Sequence, residues 1–260
     1  MKLVVSDVGK DFLIPVIDRV SFTVEAGEFV CLLGPNGCGK TTLLRIIGGL
    51  EPATRGGVTI DGEPVEAGRR LRHRVGFVFQ EDRLLPWLTL RENVALVLRP
   101  LGLDAARREA VARRYLTLAG LSGFEDYYPA RVSGGMRQRA AIARALAIEP
   151  DVLLMDEPFG SLDAQNRRIM QNEVRRVWRE TGRTIVFVTH SIEEAVAIGT
   201  TLVMLSARPC RIRELIRLDG RRDAGCLVEH LNTAIMEEVE RQQGPRPAAT
   251  GVPAPPADSR

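Results

Sequence analysis

The hydrophobic pattern of the chain changes near residue 88. Before that point, short runs rich in Val, Phe and Ile are bounded by Gly or Asp, which is typical of β-strands. These runs are "KLVVSDV", "VSFTVEAG", "FVCLLG", "GVTIDG" and "VGFVFQ". The segment "TTLLRIIGGL", which follows a glycine-rich stretch, has helical spacing instead. We therefore expect the first part of the chain to be mostly strands, interrupted by a helix.

Beyond residue 88 the apolar positions take helical spacing. Thr89 can cap a helix, because Glu92 follows at the position that completes a capping box. Asp104 and Ser133 each precede a further helical pattern and are suitable N-caps. The pattern predicts a helical insertion at about 88–135.

After residue 150 strands and helices alternate. The strand patterns are "VLLMDE", "TIVFVTH" and "TLVMLS", and the helical patterns between them are "DAQNRRIMQNEVRRVWRETG" and "SIEEAVAIG". Such alternation implies right-handed crossovers and a parallel sheet. The expected fold class is α/β, with a mostly parallel core sheet, an N-terminal antiparallel β subdomain and an inserted α-helical subdomain.

Composition adds bounds on size, location and partners. The 260 residues suffice for one large domain with an inserted subdomain. The longest apolar runs are strand-sized and no secretory signal is evident, so a cytoplasmic chain is expected. The cluster "RRLRHR" could bind nucleic acid or anionic lipid, but with a net charge of only +3 a solvated basic loop is favoured and no nucleic-acid partner is expected. The four cysteines show no metal-binding spacing, which favours free thiols.

The segment "GPNGCGKTT" carries the first chemical signal. Its pattern, Gly34-x-x-x-x-Gly39-Lys40-Thr41, is that of a phosphate-binding loop between a strand and a helix. Glycines let successive backbone N–H groups wrap a phosphate, and the helix N-terminus adds its positive dipole end. Lys40 would supply a point charge, and Thr41 a hydroxyl ligand for Mg²⁺.

Polar residues at the carboxyl ends of other strands extend this site. In "DVLLMDEP", an apolar strand ends in Asp156 and Glu157. Because ligands of parallel sheets bind beyond the carboxyl ends of the strands, both acids should face the phosphates. An isolated acid pair would more simply be a solvated loop, but the phosphate loop favours a site. Gln80 and His190 also follow strands, although neither residue by itself shows that it belongs to the phosphate site.

The segment "VSGGMRQR" is a second candidate anion site, since it joins a hydroxyl and two glycines to a helix N-terminus. It falls in the helical insertion, away from the first loop. An anion site that cannot reach the nucleotide bound by its own chain can contact the nucleotide bound by a partner chain.

Taken in order, "GPNGCGKTT", Gln80, "SGGMRQR", "LLMDEP", "GSLD" and "TH" resemble the motifs of the ATP-binding cassette (ABC) ATPases. The resemblance covers about residues 1–218 and implies a P-loop NTPase core. "FQEDRLLPWLTLRENV" and "LLMDEPFGSLD" look closer to one branch, the ATPase subunits of bacterial importers for nitrate, sulfonates and taurine. Residues 219–243 would form a C-terminal helical extension, and the Pro/Ala-rich tail 244–260 is expected to be disordered.

The resemblance implies a role for each motif residue. Lys40 would bind the β- and γ-phosphates, and Thr41 and Asp156 would hold Mg²⁺. Phe12 would stack on adenine, an assignment that rests on its spacing within "DVGKDF". Glu157 would be the general base. The other nucleotide contacts would come from the loop residues Gly34, Pro35, Asn36, Gly37, Cys38, Gly39 and Thr42. Gln80 would sense Mg²⁺ and the attacking water, and His190 would contact the γ-phosphate.

The resemblance also implies an assembly. Ser133, Gly134 and Gly135 would bind the γ-phosphate of ATP held by a second copy, and Asp163 would lie at the dimer contact. The closing and reopening of this dimer would move two membrane permease subunits. An extracytoplasmic solute-binding protein would deliver the solute. The chain would then lie peripherally on the cytoplasmic face of the inner membrane.

Other interpretations remain open at this level. A cytoplasmic ABC ATPase acting on DNA or ribosomes usually carries tandem cassettes or a long coiled coil, and neither is present in this sequence. A non-hydrolysing nucleotide-binding module is opposed by the presence of Lys40, Glu157 and His190. Trp87 in "LLPWLTL" is either part of an exposed groove for the permease or simply a core residue. Cys210 stands where the importer branch often has Gly, so the turn around it is uncertain.

Overall fold

The computed structural model describes residues 1–69, 72–160, 162–218 and 224–243. The strands are β1 (Leu3–Asp11), β2 (Pro15–Val24), β3 (Phe29–Leu33), β4 (Arg55–Ile60), β5 (Glu63–Pro64), β6 (Val75–Val78), β7 (Val152–Asp156), β8 (Thr184–Val188), β9 (Thr201–Leu205) and β10 (Ile212–Arg217). The α-helices are α1 (Lys40–Ile47), α2 (Leu90–Leu96), α3 (Ala105–Leu118), α4 (Gly134–Ala147), α5 (Ala164–Thr181), α6 (Ile192–Ile198) and α7 (Ala224–Gln243). Part of the basic segment, residue 161 of "GSLD", the start of the C-terminal extension and the tail predicted to be disordered lie outside the described residues.

The strands form two sheets. A four-stranded antiparallel sheet has the order β2-β1-β4-β5. A six-stranded sheet has the order β10-β9-β3-β8-β7-β6, and its strands are parallel except for the antiparallel pair β9 and β10. The prediction of an α/β fold with a mostly parallel core sheet and an N-terminal antiparallel part is thus confirmed.

The larger sheet lies between two hydrophobic cores. Along β3, Phe29, Cys31 and Leu33 belong to the core shared with α2 to α7. The alternate residues Val30 and Leu32 belong to the core shared with α1 and the antiparallel sheet. Successive strand side chains point to opposite faces, so a strand buried on both faces reads as an unbroken apolar run. This is why "FVCLL" and "VLLM" show no alternation.

The helices of the insertion begin where the sequence predicts. Thr89 and Glu92 form the capping box of α2, Asp104 caps α3, and Ser133 caps α4 by accepting from the Met136 N–H. The helices α2, α3 and α4 pack against one another, and α4 also contacts β6 of the core sheet. The boundaries assigned to the insertion and to the C-terminal extension stay predictions.

Two elements differ from the sequence-based expectation. The strand expected from residue 20 begins at Pro15, because the hairpin turn comes earlier, at the exposed apolar residues Phe12, Leu13 and Ile14. The edge strand β10, "IRELIR", was not predicted, since its charged residues hide the strand pattern until it pairs with β9. No helix of the described residues is long and apolar enough to cross a membrane.

Candidate functional site

The loop between β3 and α1 forms the floor of a cavity of about 570 Å³. This volume is in the range of small-molecule sites. Gly37 and Gly39 have φ of +72° and +125°, a backbone region that other residues rarely adopt. A Cβ on Gly39 would lie 3.2 Å from Val16 Cγ1, so a side chain there would crowd the loop. The cavity is lined by Phe12, Leu13, Ile14, Val16, Asn36, Gly37, Gly39, Lys40, Thr41, Thr42, Glu157 and Arg208.

Lys40 opens α1 and is almost wholly buried. Its Nζ donates hydrogen bonds to the carbonyls of Gly34 and Pro35, at 2.8 and 2.9 Å. The ammonium therefore holds the loop in its wrapped form. Because loop residues and the first residues of α1 line the same cavity as this lysine, the cavity is suited to a polyphosphate.

A hydroxyl and a carboxylate meet beside the loop. Thr41 Oγ1 donates to Asp156 Oδ1 at 2.9 Å, which joins the start of α1 to the carboxyl end of β7. Burial raises the pKa of Asp156, and the hydrogen bond from Thr41 opposes this shift. Hydroxyl and carboxylate oxygens are the donors that Mg²⁺ prefers, so this pair fits that ion.

The next residue, Glu157, is paired with His190 across two neighbouring strands. Oε2 of Glu157 lies 3.1 Å from Nδ1 of His190, which follows β8. The Glu157 side chain is 19 % exposed and lines the cavity, whereas that of His190 is 57 % exposed. A carboxylate that reaches both a histidine and the phosphate cavity has the placement that a general base requires.

The second predicted anion site lies apart from this cavity. Ser133 and Gly134 are exposed at the N-terminus of α4, and no residue of "SGGM" lines the cavity. Asp163 caps α5, and the Asn166 N–H lowers the pKa of its carboxylate. The two candidate anion sites are thus separate surfaces of the described chain.

Not every predicted residue reaches the cavity. Phe12 lines it from the tip of the β1–β2 hairpin and remains 57 % exposed. Gln80 is exposed beyond β6 and is absent from the described lining of the cavity.

The sequence did not indicate Arg208, whose Nη2 donates to the Gly37 carbonyl at 2.6 Å. No motif marks this arginine, because only the folded turn after β9 brings it to the loop. The apolar residues Leu13, Ile14 and Val16 were missed as well, although their position around Phe12 in the hairpin was a possible signal.

Comparison with known proteins identifies the family. The profile of the ABC transporter family matches residues 17–160, which include the phosphate loop, "SGGM" and the Asp156–Glu157 pair. The chain belongs to the ABC transporter family. An uncharacterized ABC transporter ATP-binding protein of Methanocaldococcus jannaschii is 47 % identical over 206 residues, which cover 79 % of this chain and 76 % of that protein.

Relatives with a stated solute are equally similar. The taurine import ATP-binding protein of Burkholderia pseudomallei is 48 % identical over 206 residues, covering 79 % of this chain and 78 % of its own length. That of Escherichia coli O157:H7 is 44 % identical over 208 residues, covering 80 % of each chain. The importer branch indicated by the sequence motifs therefore agrees with these relatives.

Solved structures agree with the fold and the activity. A dimeric post-hydrolysis state of the ATP-binding cassette MJ0796, bound to ADP and Pi, has a TM-score of 0.76 and 32 % identity. The match covers 84 % of this chain and 99 % of that one. The chain is an ATP-binding cassette ATPase, as predicted, and the cytoplasmic non-transport alternative is not favoured.

Proposed function

We propose that this cassette drives the import of a small solute of the nitrate, sulfonate or taurine type. The observation that supports its chemistry best is that Thr41, which is bonded to Asp156, and Glu157, which is paired with His190, both line the loop cavity. The solute class rests on the motifs of the importer branch and on the taurine import relatives. An ATPase subunit does not hold the solute, so its site carries no further specificity signal.

In this proposal the loop binds the triphosphate of ATP. Lys40 exchanges its bonds to the loop carbonyls for the β- and γ-phosphates, and the backbone N–H groups of residues 36–42 surround the phosphates. Phe12 covers the adenine from the hairpin tip. Thr41 and Asp156 would hold Mg²⁺, and Gln80 would be a further ligand. The ion supplies neutralisation of the charge that develops on the phosphates.

Glu157 orients the water that attacks the γ-phosphate in line and accepts its proton. His190 lies on the outer side of this carboxylate, where it holds Glu157 in place and contacts the γ-phosphate. The second copy of the chain supplies Ser133, Gly134 and Gly135 to the same phosphate, and Asp163 lies at the contact. Two ATP molecules are then enclosed head to tail, and hydrolysis reopens the dimer.

A Glu157→Gln variant tests this assignment. We expect ATP turnover to fall at least about 100-fold, since the amide cannot accept the proton. The variant should also form a stable dimer in ATP and Mg²⁺, measured by light scattering after gel filtration. Glu214→Gln is the matched control, because Glu214 also pairs with a histidine, His230, at 2.9 Å but is not among the described residues that line the cavity. If Glu157→Gln hydrolyses ATP as fast as that control, Glu157 is not the general base.

The proposed permease contact is an exposed aromatic surface consisting of Trp87, Phe124, Tyr127 and Tyr128. Trp87 is 69 % exposed, so the alternative that it is a core residue is wrong. The backbone N–H of Leu90 donates to the Tyr127 carbonyl, which places the two aromatic segments side by side. This surface would receive a short apolar helix of each of two permease subunits, with the cassette peripheral on the cytoplasmic face of the inner membrane. A solute-binding protein on the other side would act only through the permease.

A Trp87→Ala variant should retain ATP-dependent dimerisation but lose at least about 10-fold in affinity for the permease, as expected for an aromatic residue that anchors an interface. Co-purification with the permease in detergent measures this. Met236→Ala, which truncates another exposed apolar side chain on α7, is the control. Equal recovery of permease with Trp87→Ala and with Met236→Ala would show that the aromatic surface is not the permease contact.

A further inference from the structure

Two cations are bonded to the backbone of the phosphate loop. Nζ of Lys40 donates to the carbonyls of Gly34 and Pro35. Nη2 of Arg208 donates to the carbonyl of Gly37 at 2.6 Å. In the proposed function Lys40 gives up its two bonds when it binds the β- and γ-phosphates. The bond from Arg208 can persist with phosphate in the cavity, because it uses a carbonyl and no N–H group of the loop.

The turn between β9 and β10, which carries Arg208, is fixed by its own hydrogen bonds and by β2. The Ser206 N–H donates to the Arg211 carbonyl at 2.8 Å, and the Arg211 N–H donates to Ser206 Oγ at 3.0 Å. The Cys210 N–H donates to the Val16 carbonyl of β2 at 2.8 Å. Arg208 therefore extends from a fixed backbone to a loop rich in glycine.

A buried carboxylate on α7, that of Glu238, holds the same turn. The Glu238 side chain is 3 % exposed, and its Oε2 accepts from the N–H of Ala207, the residue before Arg208, at 2.9 Å. Its Oε1 accepts from Arg213 at 2.9 Å and from Arg241 at 2.7 Å. A buried charge is costly unless it is paired and hydrogen-bonded, and these contacts satisfy both oxygens. The turn is thus tied to the C-terminal helix.

We propose that Arg208 is a positioning residue for the phosphate loop, and that α7 supports it through Glu238. Gly37 has φ of +72° and few restrictions on its backbone. The bond from Arg208 fixes the peptide plane that Gly37 shares with Cys38. A loop that is ordered before ATP arrives loses less conformational freedom on binding, so its affinity is higher. The inference rests on the proposed binding of phosphate by this loop.

Positioning of the loop differs from direct contact with the nucleotide. Arg208 also lines the cavity, so its guanidinium is within reach of a bound molecule. A direct contact would raise the affinity for ATP but would leave the empty loop unchanged. The bond to Gly37 is present without nucleotide, so it should protect the amides of the empty loop from hydrogen exchange. Exchange measured in the absence of nucleotide therefore separates the two roles.

The test compares the full chain with its Arg208→Ala variant, which should fold because Arg208 is exposed. Without nucleotide, hydrogen exchange at residues 34–40, followed by mass spectrometry, should be at least about 5-fold faster in the variant. The KM for ATP should rise at least about 5-fold, while kcat changes less than about 2-fold, because Glu157 and His190 are untouched. Unchanged exchange at residues 34–40 would overturn the proposal, as would a fall in kcat without a rise in KM.

A Glu238→Ala variant tests the support from α7. Exchange at the loop should become faster, while exchange within α7 checks that the helix remains folded. Glu237→Ala is the matched control, because it removes an exposed partner of Arg213 and leaves the bond from Ala207 intact. If Glu238 acts through Arg208, the double variant should exchange no faster at the loop than Arg208→Ala alone. Additive effects, or equal effects of Glu237→Ala and Glu238→Ala, would overturn the role of α7.

A Lys40→Ala variant separates this inference from the proposed function. If Lys40→Ala binds ATP as tightly as the unmodified chain, the loop is not the phosphate site and the proposed function is contradicted. Faster exchange of the empty loop in Arg208→Ala would still support the positioning role in that case. If Lys40→Ala loses ATP binding and Arg208→Ala keeps a normal KM, only the inference about Arg208 is overturned.

Discussion

At the scale of single residues, the site depends on a strained backbone position. Glu157 has φ of +43°, in the left-handed region that non-glycine residues rarely adopt. Its N–H donates to the Val188 carbonyl at 3.0 Å, which ties the turn to the end of β8. Such strain persists where the surrounding structure fixes it, and it clusters at functional sites. In this chain it directs the carboxylate toward the loop and His190.

His190 is the residue whose removal tests this arrangement at the same scale. We expect His190→Ala to lower ATP turnover by about 100-fold or more, because Glu157 loses its partner and the γ-phosphate loses a contact. Nucleotide affinity, measured by fluorescence titration, should change much less, since the phosphate loop is intact. His230→Ala removes the equivalent partner of Glu214 and should leave turnover unchanged. A His190→Ala chain with normal turnover would assign the histidine a purely structural role.

At the scale of elements, one buried amide fixes the segment that presents Trp87. Asn93 on α2 is fully buried, and its Oδ1 accepts from the Leu85 N–H at 2.7 Å. Its Nδ2 donates to the carbonyls of Leu85, Leu88 and Thr89. The amide thereby satisfies the backbone polar groups of an irregular segment that has no ladder of its own.

An Asn93→Ala variant should lower the free energy of unfolding by about 2 kcal/mol, because buried backbone groups lose their partners. Urea denaturation followed by circular dichroism measures the difference. Asn232→Ala on the exposed face of α7 should change stability by less than about 0.5 kcal/mol. Equal stability of the two variants would mean that water replaces the Asn93 amide without loss.

At the scale of the whole molecule, the separation of the two candidate anion sites is the feature that the proposed head-to-tail dimer explains. The exposed Ser133 at the start of α4 does not line the cavity formed around Lys40. A head-to-tail dimer would combine the loop of one copy with "SGGM" of the other. Two different inactive variants can then restore activity together, which is impossible if each site lies within one chain.

Mixing two inactive variants should restore one complete site. Lys40→Ala disables the loop, and Ser133→Arg blocks the surface at α4, so each variant alone should show no turnover. A mixed dimer contains both defects in one site and none in the other. If the sites act independently, each mixed dimer should hydrolyse ATP at about half of the normal rate. ATP turnover at varied mixing ratios measures this. A mixture as inactive as its components would argue against head-to-tail composite sites.

Much of the fold and of the site follows from local sequence. Caps, strand-sized apolar runs and the phosphate loop are short-range signals, and Thr89, Asp104 and Ser133 appear as caps where they were predicted. The placement of Asp156 and Glu157 also follows, because parallel strands bring their carboxyl ends to one edge of the sheet. The roles of these residues stay predictions.

The sequence by itself determined the family, the α/β class and the motif residues, because these depend on patterns a few residues long. Only the tertiary structure decided that Trp87 is exposed, that Arg208 reaches the loop, and that "IRELIR" is an edge strand. Each of these depends on a turn or a strand pairing between segments far apart in the chain. Such contacts result from the packing of whole elements, which no local pattern encodes.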